Sequence, residues 1–288
     1  MSKFSLVFVG SFFLIISLLS FINIIYSYYF NLYLNLDSYI PPLILSTILL
    51  IILIIFKNKI NIKVSIFNKI LIVISGYIVL PTLIALPYYF SIYNISIIDS
   101  YFEAISGFTS TGFTIFENIK QFDQSFILWR STSQWVGGLY FLFSIIILID
   151  IFDENLKKSL TNFLSFNSTE ILKQSFKVFV LYSFLTLIIF FTLKFINFRN
   201  FDAFNFSLSI ISSGGFKSVN EINYLLNTDF KIIIISFTFL ISFFSIFFSY
   251  NLIYYKKRQL SFFTEDFYLL SYLIIVLFIF FAFFTNNN

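Results

Sequence analysis

The sequence predicts an all-α membrane protein: seven transmembrane helices with two re-entrant loops, arranged as parallel helix-loop-helix repeats. Three observations carry the prediction. Of 288 residues, 59% are hydrophobic and 11% charged, and the mean hydropathy is +0.92, leaving too little polar surface to coat a soluble globule of this length. Seven stretches approach or exceed the roughly 20 apolar residues that cross a bilayer. Finally, Ser110, Thr111, Gly112 and Phe113 have a near-copy in Ser213, Gly214, Gly215 and Phe216, each set lying in a short polar loop between membrane-length apolar segments.

The apolar stretches run from about 4 to 30, 38 to 56, 70 to 90, 126 to 149, 176 to 196, 231 to 254 and 267 to 285. The first is read as a spanning helix and not as a signal peptide. Its uncharged run from Phe4 to Leu36 exceeds an h-region of about 7 to 15 residues, and no small-residue cleavage site follows. Pro81 and Pro87 fall in the third stretch and predict a bend, or an end near Tyr88. A cytoplasmic N-terminus places twelve of the eighteen basic residues inside, among them Lys57, Lys59, Lys63, Lys157, Lys158, Lys256, Lys257 and Arg258. That asymmetry favours this orientation. Asp99, Glu103, Glu117, Asp123, Asp202, Glu221 and Asp229 then face outward around both loops. Two uses are open to them: concentrating cations at an outer mouth, or keeping the external segments soluble.

Composition excludes several chemistries. There is no cysteine, hence no disulfide, thiol nucleophile or thiolate metal site. Histidine is also absent, which removes the commonest proton shuttle and zinc ligand. The net charge of +4 is small and dispersed, so nucleic acid is not an expected partner. No spanning stretch holds a paired aspartate or a serine beside a base, so an enzyme is not expected, and neither is a cofactor. The 46 phenylalanines are read as lipid-facing or packing residues.

Sliding the chain against itself by 103 residues aligns Asp99 with Asp202, Ser106 with Ser209, Ser110 with Ser213, Gly112 with Gly215 and Phe113 with Phe216 as identities. Tyr101 with Phe204, Ile105 with Leu208 and Thr109 with Ser212 align conservatively. Two spanning segments separate the loops, so both enter from one side and the repeat is parallel. A stretch such as Ser100 to Phe108 allows about two helical turns, too few to span. It reads as a pore helix whose carboxyl end points into the membrane, where the partial negative charge of its carbonyls favours a cation. The residues after it, Ser110, Thr111, Gly112, Phe113 and Ser213, Gly214, Gly215, Phe216, then present successive backbone carbonyls to a dehydrated ion. Only a water-lined or protein-buried setting tolerates such backbone at membrane depth.

Three strings, Phe102 to Thr114 (FEAISGFTSTGFT), Leu128 to Gly138 (LWRSTSQWVGG) and Ile211 to Phe216 (ISSGGF), resemble the Trk/Ktr/HKT superfamily of potassium transporters, and most closely its TrkH-type membrane subunits. In the second string Arg130, Gln134, Gly137 and Gly138 fall along one helix face. There the glycines permit close helix contact. An Arg at membrane depth either has a buried partner or snorkels to the outer interface.

The resemblance implies a pathway of four helix-loop-helix repeats around a central axis, preceded by two accessory helices. It divides the chain into the accessory pair (1–60), a first repeat (61–160), a second repeat (161–260) and the first helix of an incomplete third (261–288). Two filter strands do not close a ring that the family builds from four. The expectation is therefore a truncated or split reading of a longer protein, or a chain that pools its loops with another copy or with a chain carrying the missing repeats. Lys217, directly after Gly215 and Phe216, is a further departure: its positive charge repels cations if it faces the axis, and is harmless if it leans toward the outer water. Further implications are potassium uptake through the filter, a multi-pass position in the inner membrane of a prokaryote, and a cytoplasmic nucleotide-binding regulator of the TrkA or KtrA type. Such a regulator would touch the inside loops near 57–69 and 151–173. The alternative is a non-conducting half-subunit that contributes walls to another chain's pore.

Overall fold

The computed structural model describes residues 3–56, 66–148, 168–216, 228–243, 271–272 and 274–276, and among them all regular structure is helical. In chain order the helices are α1 (Lys3–Tyr29), α2 (Ile40–Phe56), α3 (Ile66–Tyr89), α4 (Ile97–Phe108), α5 (Gln124–Leu148), α6 (Ser168–Phe195), α7 (Asn200–Ile211) and α8 (Asp229–Phe243), with a 3₁₀ helix at Tyr33–Tyr39 joining the first two. Among the described residues, five segments are long and apolar enough to cross a membrane: Phe8–Tyr29, Tyr33–Phe56, Phe67–Tyr89, Gln124–Leu148 and Ser175–Phe195. These are the first five predicted stretches. The sixth is represented by the 15 residues of α8, and its remainder lies outside the described residues, as does most of the seventh.

Burial separates a central helix from peripheral ones. In α5, 72% of the most apolar window is buried, against 17% for the segment containing α2. A helix buried almost all round is a core element, whereas an exposed apolar one suits lipid. Phe8 and Phe12 of α1, one turn apart, set their rings against Tyr140 of α5 at 5.4 and 4.8 Å between centroids. Tyr140 in turn donates to the Val73 carbonyl of α3 at 2.8 Å. α2 opens on Pro41 and Pro42, where the missing N–H groups cost no helical bond. α3 runs through both Pro81 and Pro87 and stops at Tyr89. The Trp129 indole of α5 donates to the Ile84 carbonyl of α3 at 3.0 Å, one turn before Pro87.

α4 and α7 have 12 residues each, about 18 Å of helix, short of the roughly 30 Å hydrocarbon core. Both pack on α5.

Candidate functional site

The 103-residue offset holds at both ends of the short helices, since Ile97 to Asn200 and Phe108 to Ile211 each differ by that amount. Their first turns are built differently. Ser96 caps α4 by accepting from the Asp99 N–H at 3.1 Å while its hydroxyl donates to the Asp99 carboxylate at 2.7 Å. Arg199 stands at the equivalent place on α7, and its Nε donates to Asp202 at 2.6 Å. This bond is the main reason the Arg199 pKa is raised above its ordinary value.

The last turns are alike. Ser110 N–H donates to Gly107 and Thr111 N–H to Ser106, at 3.1 and 3.0 Å, and Ser213 N–H donates to Ile210 and Gly214 N–H to Ser209, at 2.9 and 2.8 Å. This paired closure is a Schellman motif, which needs a left-handed residue just past the helix. Ser110 and Ser213 fill that place with φ of 56° and 54°, and two residues later Gly112 and Gly215 repeat a positive φ of 79° and 80°. Left-handed backbone twice within three residues bends the chain sharply at the end of a helix, and glycine takes the second bend without a Cβ penalty. The two loops also meet: a Cβ built on Gly112 would lie 2.5 Å from the Gly214 carbonyl oxygen and 3.3 Å from the Gly215 Cα.

One face of α5 touches both loops. A Cβ on Gly137 would overlap the Phe108 carbonyl, and one on Gly138 would lie 3.0 Å from Ser212 Cβ. The Gln134 amide covers the Gly214 Cα and donates to the Gly214 carbonyl at 2.5 Å. That contact explains a glycine at 214, where φ is not positive: the space for a side chain is already filled.

Arg130 sits on the same face and is 1% exposed. Its Nε and Nη2 donate to Glu103 Oε1 of α4 at 2.9 and 2.7 Å, and Nη2 also reaches Thr114 Oγ1 at 2.9 Å. The guanidinium carbon lies 4.4 Å from the centre of the Phe216 ring and 5.2 Å from that of Phe116. Glu103 is fully buried and also accepts from Thr114 Oγ1 and the Ile115 N–H, at 3.0 and 3.1 Å. This corrects the expectation that Glu103 faces outward in water. A carboxylate leaves water here because two arginine N–H groups on Oε1, with the Thr114 hydroxyl and the Ile115 N–H, replace its hydration. Asp202 is likewise buried, at 1% exposure, whereas Asp99 and Glu117 are exposed. Asp123, half-buried, caps α5 by accepting from the Phe126 N–H at 2.8 Å. Lys217 and Glu221 lie outside the described residues, and of Asp229 only the backbone is described.

The filter candidates are not equivalent. The Phe113 carbonyl accepts from Ser106 Oγ at 2.6 Å, and the Gly214 carbonyl accepts from Gln134. The carbonyls of Ser110, Thr111, Gly112, Ser213 and Gly215 accept no hydrogen bond among the described residues. Phe113 is 69% exposed and Phe216 only 4%. A cavity of about 420 Å³ lies against the carboxyl ends of both short helices, lined by residues 108–110 and 211–213 with Tyr77, Phe141, Tyr182 and Ser242. Ser242 of α8 ties this end of α7 down by donating to the Ile210 carbonyl, and stands 3.1 Å from Ser213 Oγ.

Sequence reasoning placed Arg130, Gln134, Gly137 and Gly138 on one face but missed the partner of Arg130, the bridge through Thr114 and the role of Ser242. A signal for Glu103 exists in its spacing: Ser100, Glu103, Ala104 and Gly107 form the buried stripe of α4, so the acid shares a face with small core residues.

No family model matches the chain. An uncharacterized cation transporter of Methanocaldococcus jannaschii is 40% identical over 55 residues, 19% of this chain and 12% of that protein. The Trk system potassium uptake protein TrkH of Salmonella typhimurium is 28% identical over 155 residues, 51% of this chain and 32% of that protein. Among solved structures, the potassium transporter TrkH from Vibrio parahaemolyticus superimposes with a TM-score of 0.56 at 20% identity, covering 76% of this chain and 45% of the other. The chain is thus similar, over part of its length, to Trk-type potassium transporter subunits, and it shares their fold. It spans less than half the length of the relatives it matches. With five apolar spans among the described residues, it is a multi-pass membrane protein.

Proposed function

We propose that the chain lines part of a potassium uptake pathway in which backbone oxygens of the two loops stand in for the water around the ion. The observation that carries the reading is the duplicated backbone, with Gly112 and Gly215 in contact at the ends of two short helices. Both helices then act as pore helices of re-entrant loops. Their carboxyl ends share one cavity, and the aligned peptide dipoles of each helix place a partial negative charge there. A cation that has shed water gains there what an anion would lose. The ligands are the carbonyls of Ser110, Thr111, Gly112, Ser213 and Gly215, while Phe113 and Gly214 keep the strands in shape through Ser106 and Gln134. With the N-terminus cytoplasmic, inward movement of each potassium ion gains about 2.3 kcal/mol per 100 mV of membrane potential.

A second reading rests on a specific observation: Thr111, Phe113, Ser213 and Gly215 are exposed, so these strands wall one side of an axis and leave the other open. Further filter strands, from another polypeptide segment or another chain, then complete the ring, and a chain without them is a non-conducting half-subunit. The TrkA-type nucleotide-binding regulator belongs to the same proposal, on the cytoplasmic side. Rubidium flux into vesicles holding the purified chain tests the first reading; silence that ends only when a chain with further filter loops is added supports the second. A Gly112→Ser variant that transports with unchanged affinity and selectivity overturns the assignment of the loop to the ion path.

A further inference from the structure

We infer that Arg130 is a positioning residue for ion selectivity, one guanidinium that pins the two filter loops in register. The inference rests on the pore reading above. Loop one is held by the edge of the group, through Glu103 and Thr114, and the Ile115 N–H closes the clamp on Glu103 Oε2. Loop two is held by its face, since the Phe216 ring lies 4.4 Å beneath the guanidinium carbon. Each contact falls one or two residues past the filter glycine, at Thr114 and Phe216. The bond from Ser106 to Phe113 in loop one has no counterpart between Ser209 and Phe216 among the described residues, so loop two depends more on the ring contact. The two strands lie so close that a Cβ on Gly112 would meet the Gly214 carbonyl and the Gly215 Cα, which leaves little room for either to shift alone. Carbonyl spacing in both loops therefore depends on a planar fork and a flat cationic face at one position, which a point charge does not reproduce.

Two substitutions separate geometry from charge. Arg130→Lys keeps a cation beside Glu103 but loses the fork and the platform; Phe216→Leu keeps the ion pair and the apolar volume but loses the ring. Measured per folded molecule in the assembled transporter, the rubidium-to-sodium flux ratio is expected to fall about tenfold for Arg130→Lys, the scale of one charge-assisted hydrogen bond, and by less for Phe216→Leu. A merely structural role would lower the yield of folded protein and leave that ratio alone. The chain has no cysteine, so spin labels at Ile98→Cys on α4 and Phe204→Cys on α7, both exposed, report the loops without transport. One narrow distance is expected with Arg130 and Phe216 intact, and a broadened or shifted one in each variant. Unchanged flux ratio and unchanged distance in both variants overturn the inference. If Arg130→Lys does not fold, Phe216→Leu alone decides. Failure of the pore reading looks different: the unsubstituted assembly shows no selective flux, and the spin-label arm then decides between pinned and independent loops.

Discussion

The two loops share a backbone and differ in what holds it. Loop one is stiffened by charge, with Glu103 and Arg130 buried together and Thr114 bridging them. Loop two is stiffened by packing, with Gln134 lying on Gly214, Phe216 beneath Arg130, and Ser242 donating to the end of α7. Its acid, Asp202, pairs with an arginine that is 74% exposed, where water and salt screen the attraction. One conformation has thus been reached by two energetic routes. The left-handed pattern at Ser110, Gly112, Ser213 and Gly215 is the common requirement, and the groups behind it are interchangeable in kind.

Substitutions break this comparison in a graded way. Glu103→Gln strands Arg130 as an uncompensated buried cation and is expected to destabilise by about 3 to 5 kcal/mol, read as a large fall in the thermal midpoint of the purified chain in detergent. Gly214→Thr copies the residue that loop one carries at Thr111 and forces a side chain into the Gln134 amide. An overpacking cost of about 1 to 3 kcal/mol is expected. The reciprocal Thr111→Gly, at an exposed position, lacks that clash, and equal losses from the two would refute the division between charge and packing. Arg199→Gln removes the exposed half of the second pair and should cost about 0 to 1 kcal/mol, shrinking further at high salt. Smallest of all, Phe113→Leu at the exposed ring is expected to stay within about 0.5 kcal/mol by the same thermal measurement, whereas Phe216→Leu at the buried one exceeds it.

Chain chemistry alone settled what depends on neighbours in sequence. A run of apolar residues announces a span because every turn must shed water, and five spans stand where those runs lie. The duplication showed for the same reason: one bend needs the same small residues wherever it occurs, so Gly112 and Gly215 were visible as a pair before their contact was known. Arg130, Gln134, Gly137 and Gly138 fell on one face because 3.6 residues per turn puts them there.

The tertiary structure decided what depends on distant partners. Arg130 meets an acid 27 positions away, Gln134 meets a carbonyl 80 positions away, and neither separation leaves a periodic trace in the chain. Glu103 read as a solvated outer charge because a lone carboxylate in water is the cheaper default; only the closure of α4 against α5 brings the donors that make its burial affordable. Which loop carbonyls accept a hydrogen bond and which do not, among the described residues, follows from that same closure, since hydrogen-bond partners of a loop are fixed by the elements packed behind it.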